Sequence, residues 1–172
     1  SFALKFEGPA VDAHTMRVDD LAPSLMALSS ALTALNKTVN RDDAKVELSI
    51  NAVKAGSFGI ELSLNQDILT QVVNLMSGQG VTSVCNAHTL VHCLIEILML
   101  KKWLNGRTNA TFTPNPEQTK VTVLIDNSTT TISYNSYIGI QDPICYDACS
   151  RIASPLHTEG IERLVVTSKE SV

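Results

Sequence analysis

Phe2, Leu4 and Phe6 alternate with Ala3, Lys5 and Glu7 before Gly8-Pro9, a period of two that predicts a half-buried strand stopped by a turn. A short extended piece is expected around Met16 to Val18. Asp19 or Asp20 is then placed to cap a helix, with Pro23 in the first turn, where its missing N–H has no helical partner to lose. Leu21, Leu25, Leu28, Leu32, Leu35 and Val39 recur at alternating steps of four and three, forming one apolar seam that ends near Asn40.

Alternation returns over Lys45 to Ala52, through Val46, Leu48 and Ile50, and again in Phe58, Ile60, Leu62 and Leu64. With Ala55-Gly56-Ser57 between them, the two runs predict an antiparallel hairpin whose polar face is open to water. From about Gln66 to Asn105 the pattern becomes helical and unusually apolar. Asn65 or Asp67 is the candidate cap of a first arm through Ile68, Leu69, Val72, Val73, Leu75 and Met76, which Ser77-Gly78-Gln79-Gly80 breaks. A second arm, about Thr82 to Asn105, closes on Gly106, with Lys101 and Lys102 set for the negative end of the helix dipole. Together these arms predict a central αα-hairpin hinged at Gly78 to Gly80.

Beyond Gly106, Ala110 to Thr113, Lys120 to Ile125 and Thr129 to Tyr134 again alternate, divided by Pro114-Asn115-Pro116 and Asp126-Asn127-Ser128. Asp142-Pro143 opens a last helix through about Pro155, and Ile161 to Thr167 reads as a closing strand. The expected class is α+β: an antiparallel or mixed sheet built from two hairpins plus terminal strands, with the central αα-hairpin and two further helices, in one domain over residues 1–172.

Composition bounds the function more than it defines it. A hydrophobic share of 44% and a charged share of 17% belong to a chain that folds, and 172 residues suffice for a core without a staple. The net charge of −4, with basic residues scattered except for Lys101, Lys102 and Arg107, argues against nucleic-acid binding. Cys85, Cys93, Cys145 and Cys149 have spacings poorly suited to disulfides, so reduced thiols and a cytoplasmic location are expected. No signal peptide is expected, because Ser1 to Phe6 alternates like a strand with no basic region ahead of an apolar core, and no membrane span, because the run from Cys93 to Leu100 is short and interrupted by Glu96.

Candidate chemistry concentrates on the second central arm. Cys85, His88, His92 and Glu96, at spacings of three, four and four, share one face of a continuous helix, and His88 with His92 at i, i+4 is a pair able to chelate zinc or a similar divalent metal. The alternative is a wetter stripe on an apolar helix with no cofactor, since no His-Glu-x-x-His motif is present. Lys101, Lys102, Trp103 and Arg107 form a basic helix end beside an aromatic ring, able to hold an anionic ligand, although dipole complementarity accounts for the lysines equally well. Cys145 and Cys149 share a helical face as a candidate thiol pair, or as small core residues. Ser57 between glycines lacks the strand-to-helix setting of a nucleophile elbow. His14 and His157 have no partner that sequence alone can supply. No catalytic residue is assigned.

Leu4-Lys5-Phe6-Glu7-Gly8-Pro9-Ala10, Asp20-Leu21-Ala22-Pro23-Ser24-Leu25, Lys54-Ala55-Gly56-Ser57-Phe58 and Leu100-Lys101-Lys102-Trp103-Leu104-Asn105-Gly106-Arg107 resemble an uncharacterised family of bacterial and phage-associated proteins. The resemblance covers most of the chain and transfers no activity. It implies a bacterial or prophage setting and a chain that is the larger part of a longer protein. The leading expectation is a non-enzymatic binding or assembly module that self-associates, as a homo-oligomer or with a protein partner, through its apolar helices. The alternative is a metal- or small-ligand-binding enzyme or sensor using the Cys/His/Glu stripe. Peripheral membrane contact is a third reading.

Overall fold

A computed structural model describes residues 1–54, 58–68 and 84–168. Seven strands and four α-helices among them make an α+β fold with two separate antiparallel sheets. The first sheet has the order β2-β3-β1-β7, from β1 (Phe2–Glu7), β2 (Ala44–Lys54), β3 (Phe58–Ile68) and β7 (Arg163–Ser168). The second is a three-stranded meander of β4 (Thr111–Pro114), β5 (Lys120–Ile125) and β6 (Ser128–Ser133). The strands therefore sort into two sheets instead of the one expected.

Helix α1 (Val18–Asn40) carries the predicted seam: Leu28, Leu32 and Leu35 are fully buried, and Leu21, Leu25 and Val39 pack against the same core. It starts at Val18, with Arg17 at the cap position, so Asp19 and Asp20 lie in the first turn and complement the dipole. No strand forms around Met16, and Pro23 falls inside the helix. Phe2, Leu4 and Phe6 face this core opposite Leu62, Ile60 and Phe58 of β3, on one side of the first sheet. The other side is polar, as the alternation requires, with Asn51 Nδ2 donating to Ser63 Oγ at 2.6 Å.

Glu7 lies on this polar side between Lys5, 2.7 Å away, and Arg163, whose Nε donates to it at 2.7 Å. The hydrogen bond from Lys5, joined by Arg163, holds the Glu7 carboxyl below the usual carboxylate range against the opposing effect of burial. A depressed carboxyl stabilises the fold above its unfolded value, and that contribution is lost as pH falls through the lower folded value. Glu7→Gln is expected to flatten the fall in stability on acidification below the ordinary carboxylate range. Denaturant titrations at neutral and acidic pH measure it, and an unchanged acid limb would refute the assignment.

The hairpin β2–β3 is longer than the alternation indicated, and Asn65, Gln66 and Asp67 pair with Glu47, Val46 and Lys45 instead of capping a helix. Pairing with β2 overrides their local preference. Of the first arm of the predicted αα-hairpin, Ile68 to Met76, Ile68 instead ends β3; the rest of that arm, its hinge at Gly78 to Gly80 and the expected start of the second arm at Thr82 lie outside the described residues, as does the turn at residues 55–57.

Helix α2 (Ala87–Leu104) begins five residues later than Thr82, where the Asn86 side chain accepts from Thr89 N at 2.8 Å. It ends on Asn105 and Gly106, both left-handed at φ 49 and 79. Just ahead of it, Asn40 of α1 grips the backbone of Cys85: Cys85 N donates to Asn40 Oδ1, and Asn40 Nδ2 donates to Cys85 O, each at 2.8 Å. Gln66 Nε2 also donates to Cys85 O at 2.8 Å, so β3 and α1 together set where α2 enters.

Two further helices follow β6. Helix α3 (Tyr134–Gln141), absent from the sequence expectation, starts where β6 ends, and Ser133 caps it. Helix α4 (Pro143–Ile152) begins as predicted, with Asp142 accepting from Ile144 N at 3.1 Å, but stops before Pro155, which lies in a separate 3-10 turn (Ser154–His157).

Candidate functional site

Helix α2 is the shared element of two cores. Leu90, Leu94 and Ile97 belong to the core beneath the first sheet with α1 and α4, whereas Leu100 and Leu104 pack with Val121, Val123, Ile125 and Ile132 of the second. The two cores thus draw on successive stretches of one helix, the first on Leu90 to Ile97 and the second on Leu100 and Leu104. On its outward side Ile95 and Leu98 pack against the first core only in part. Met99 is 67% exposed, and Ile95 is half-buried beside it.

This outward face is flanked, among the described residues, by two open sheet edges. On one side Ile95, Leu98 and Met99 overhang β7, and with Leu156 they line a mainly apolar trough of about 480 Å³ whose floor includes Leu164 and Val166. On the other side Met99 and Trp103 border a second groove of about 350 Å³ along Thr130, Thr131 and Ile132 of β6. Both strands are outermost in their sheets among the described residues. An outermost strand offers unpaired backbone groups, and an apolar wall beside it offers area to bury.

The candidate metal stripe is dispersed. Cys85 precedes the helix, where Asn135 Nδ2 approaches its sulfur at 3.8 Å, and burial followed by the neighbouring Cys93 pushes its thiol up to about 11. A thiol held that high is protonated at neutral pH and is a poor metal ligand until deprotonated. Glu96 turns toward α3, where its Oε1 accepts from Ser133 N at 2.6 Å. Only His88 and His92 stay together, exposed, with ring centroids 4.7 Å apart in an edge-on arrangement. Among the described residues no group of three His, Cys, Asp or Glu side chains is placed to hold a metal ion.

The basic cluster is kept together only in part: the Arg107 guanidinium lies over the Trp103 ring, 5.5 Å from its centroid. Lys101 Nζ lies 3.3 Å from the ring centroid of Tyr146 on α4, a cation–π contact. Arg107 folds back on the helix end: Nε donates to Leu104 O at 2.8 Å, one terminal nitrogen donates to Trp103 O at 2.7 Å, and the other meets Asp126 at 3.1 Å. These bonds satisfy carbonyls that a helix end leaves open. Lys102 points elsewhere, to the β7 trough. Lys101 and Arg107 thus bind neighbouring parts of the fold, and the four residues do not converge on one ligand position.

Cys145 and Cys149 are fully buried in the first core, and the contact between the two thiols together with burial pushes Cys149 upward. Their surroundings are those of core residues. His14, at φ 60, and His157 are exposed in separate turns. Sequence reasoning missed Leu156 and the β7 edge; the signal was a closing strand with a single charge, Arg163, from residue 163 to 168.

Fold and site together define a two-sheet α+β protein organised on one shared helix, with an apolar trough along an open strand. No family model matches the chain, and neither a curated protein nor a solved structure matches it. No helix among the described residues is long and apolar enough to cross a membrane.

Proposed function

We propose that the protein is a non-enzymatic assembly module that self-associates through the outward face of α2, in the bacterial or phage setting that the sequence resemblance implies. The observation that carries this reading is the trough beside β7: Met99 and Leu156 stand exposed, at 67% and 37%, against a strand that is outermost in its sheet among the described residues. Scattered apolar residues are ordinary on a protein surface, but apolar residues grouped against unpaired backbone mark a place where another chain binds. Light scattering across a wide concentration range tests the reading. Reversible growth in mass with concentration is expected, and a strict monomer throughout would remove it.

A second reading, metal binding, retains one supporting observation, the adjacent imidazoles of His88 and His92. Two ligands are fewer than the three or four that zinc sites use. Elemental analysis of protein purified without a metal-affinity step discriminates, since this reading requires stoichiometric metal.

A further inference from the structure

We infer that β7 pairs antiparallel with β7 of a second copy, so that two four-stranded sheets become one across a two-fold axis at Val165. This rests on the assembly reading and specifies its geometry. Among the described residues the first sheet has two outermost strands, and they differ in the way that decides which can pair. Strand β2 carries Lys45 and Glu47 and a register shift between Ile50 and Ala52, devices that keep an edge from accepting another strand. Strand β7 runs in unbroken register with β1 from Arg163 to Ser168 and has no proline. Its one charge, Arg163, is already paired with Glu7.

The chemistry of the trough favours a copy of itself over a peptide of one charge sign. Its lining carries charges of both signs, the acid Glu162 and the bases Lys102 and Arg163, the last held by Glu7. Residues directly opposite in a sheet point to the same side, so a copy must bring Leu164 and Val166 onto the side facing α2. Pairing the stretch Glu162 to Ser168 end to end with its copy satisfies that condition. Leu164 then faces Val166 of the copy, Arg163 faces Thr167, and Val165 faces itself. No like charges stand opposite one another. Each copy's Leu164 and Val166 extend the apolar floor under the other's Met99, giving the self-complementary contact that a two-fold interface requires.

The test is oxidative cross-linking of Val165→Cys, with Thr167→Cys and the unsubstituted protein as comparisons. Val165 and Thr167 lie on the side of the sheet away from the helices, where neither substitution disturbs the core. Opposite Cβ atoms sit about 4.5–5.5 Å apart, whereas the two copies of position 167 are separated by four residues, about 13 Å along the strands. With oxidised glutathione as oxidant, Val165→Cys is expected to form a covalent dimer at least tenfold faster than either comparison. If the protein associates but Val165→Cys cross-links no faster than Thr167→Cys, the β7 pairing is wrong and the assembly reading survives. A strict monomer overturns both and leaves the edge to a strand of a different protein.

Discussion

Leu94→Ala is expected to lower the unfolding free energy by about 2–5 kcal/mol, the range for deleting a fully buried leucine side chain whose surroundings relax only in part. Leu94 has no exposed surface and lies mid-helix on the face of α2 that packs against the first core. The second core hangs on the same helix through Leu100 and Leu104. Loss of packing at Leu94 should therefore be felt in both sheets, and the two should unfold together. Met99→Ala, on the outward face, is expected to change stability little. Chemical denaturation of both variants, followed by near-ultraviolet circular dichroism, checks the contrast. Equal stability of Leu94→Ala and the parent would mean that α2 is not the central packing element.

The second large effect concerns a glycine with ordinary backbone geometry. Gly139 of α3 lies where a Cβ would come within 2.6 Å of Leu35 Cδ1 and 3.2 Å of Ile97 Cδ1. Both neighbours are fully buried, so neither swings aside freely. Gly139→Val is expected to destabilise by about 1–3 kcal/mol, or more if the backbone must shift, because extra methyl groups in a filled core force side chains off their rotamers. Trimming the obstacle supplies the control. In a Leu35→Ala background, the same Gly139→Val substitution should cost less than it does alone, giving a coupling measurable by a double-mutant cycle. Strict additivity would show that the close approach of α1, α2 and α3 is not what the glycine serves.

Much of this architecture is legible in the sequence because period carries it. The alternation of Phe2, Leu4 and Phe6 and the seam from Leu21 to Val39 each report a single buried face, and both elements form as read. Helix α2 was legible as a helix but not as a junction: a helix gripped by two cores and a helix waiting for a partner look equally apolar along the chain. Its neighbour α3 escaped notice for a different reason. Tyr134 to Gln141 is short, contains Gly139 and shows no clear amphipathic period, and its start depends on Glu96 reaching from α2 to Ser133, a contact across 37 residues that no local pattern displays.

The same limit explains the fate of the polar stripe on α2. Spacing correctly brought His88 and His92 together, because four residues make one turn of a helix. It also assumed that the helix extended back to Cys85, whereas Asn86 caps it first and Asn40 holds Cys85 in the preceding segment. Lys101 and Arg107 were separated by partners distant in sequence, Tyr146 and Asp126. Met99 is the apolar residue of α2 that neither core buries, and its position beside β7 became visible only once the sheet order was known.

The outward face of α2 is tested most directly by sedimentation of the parent protein beside Met99→Glu. Met99 is largely exposed, so a carboxylate there leaves the packed core untouched but places charge in the trough along β7. The parent is expected to sediment as a concentration-dependent dimer and Met99→Glu as a monomer, the two sharing a melting temperature at a dilution where both are monomers. Undiminished association of Met99→Glu would contradict the account, because the outward face of α2 would then have no part in assembly.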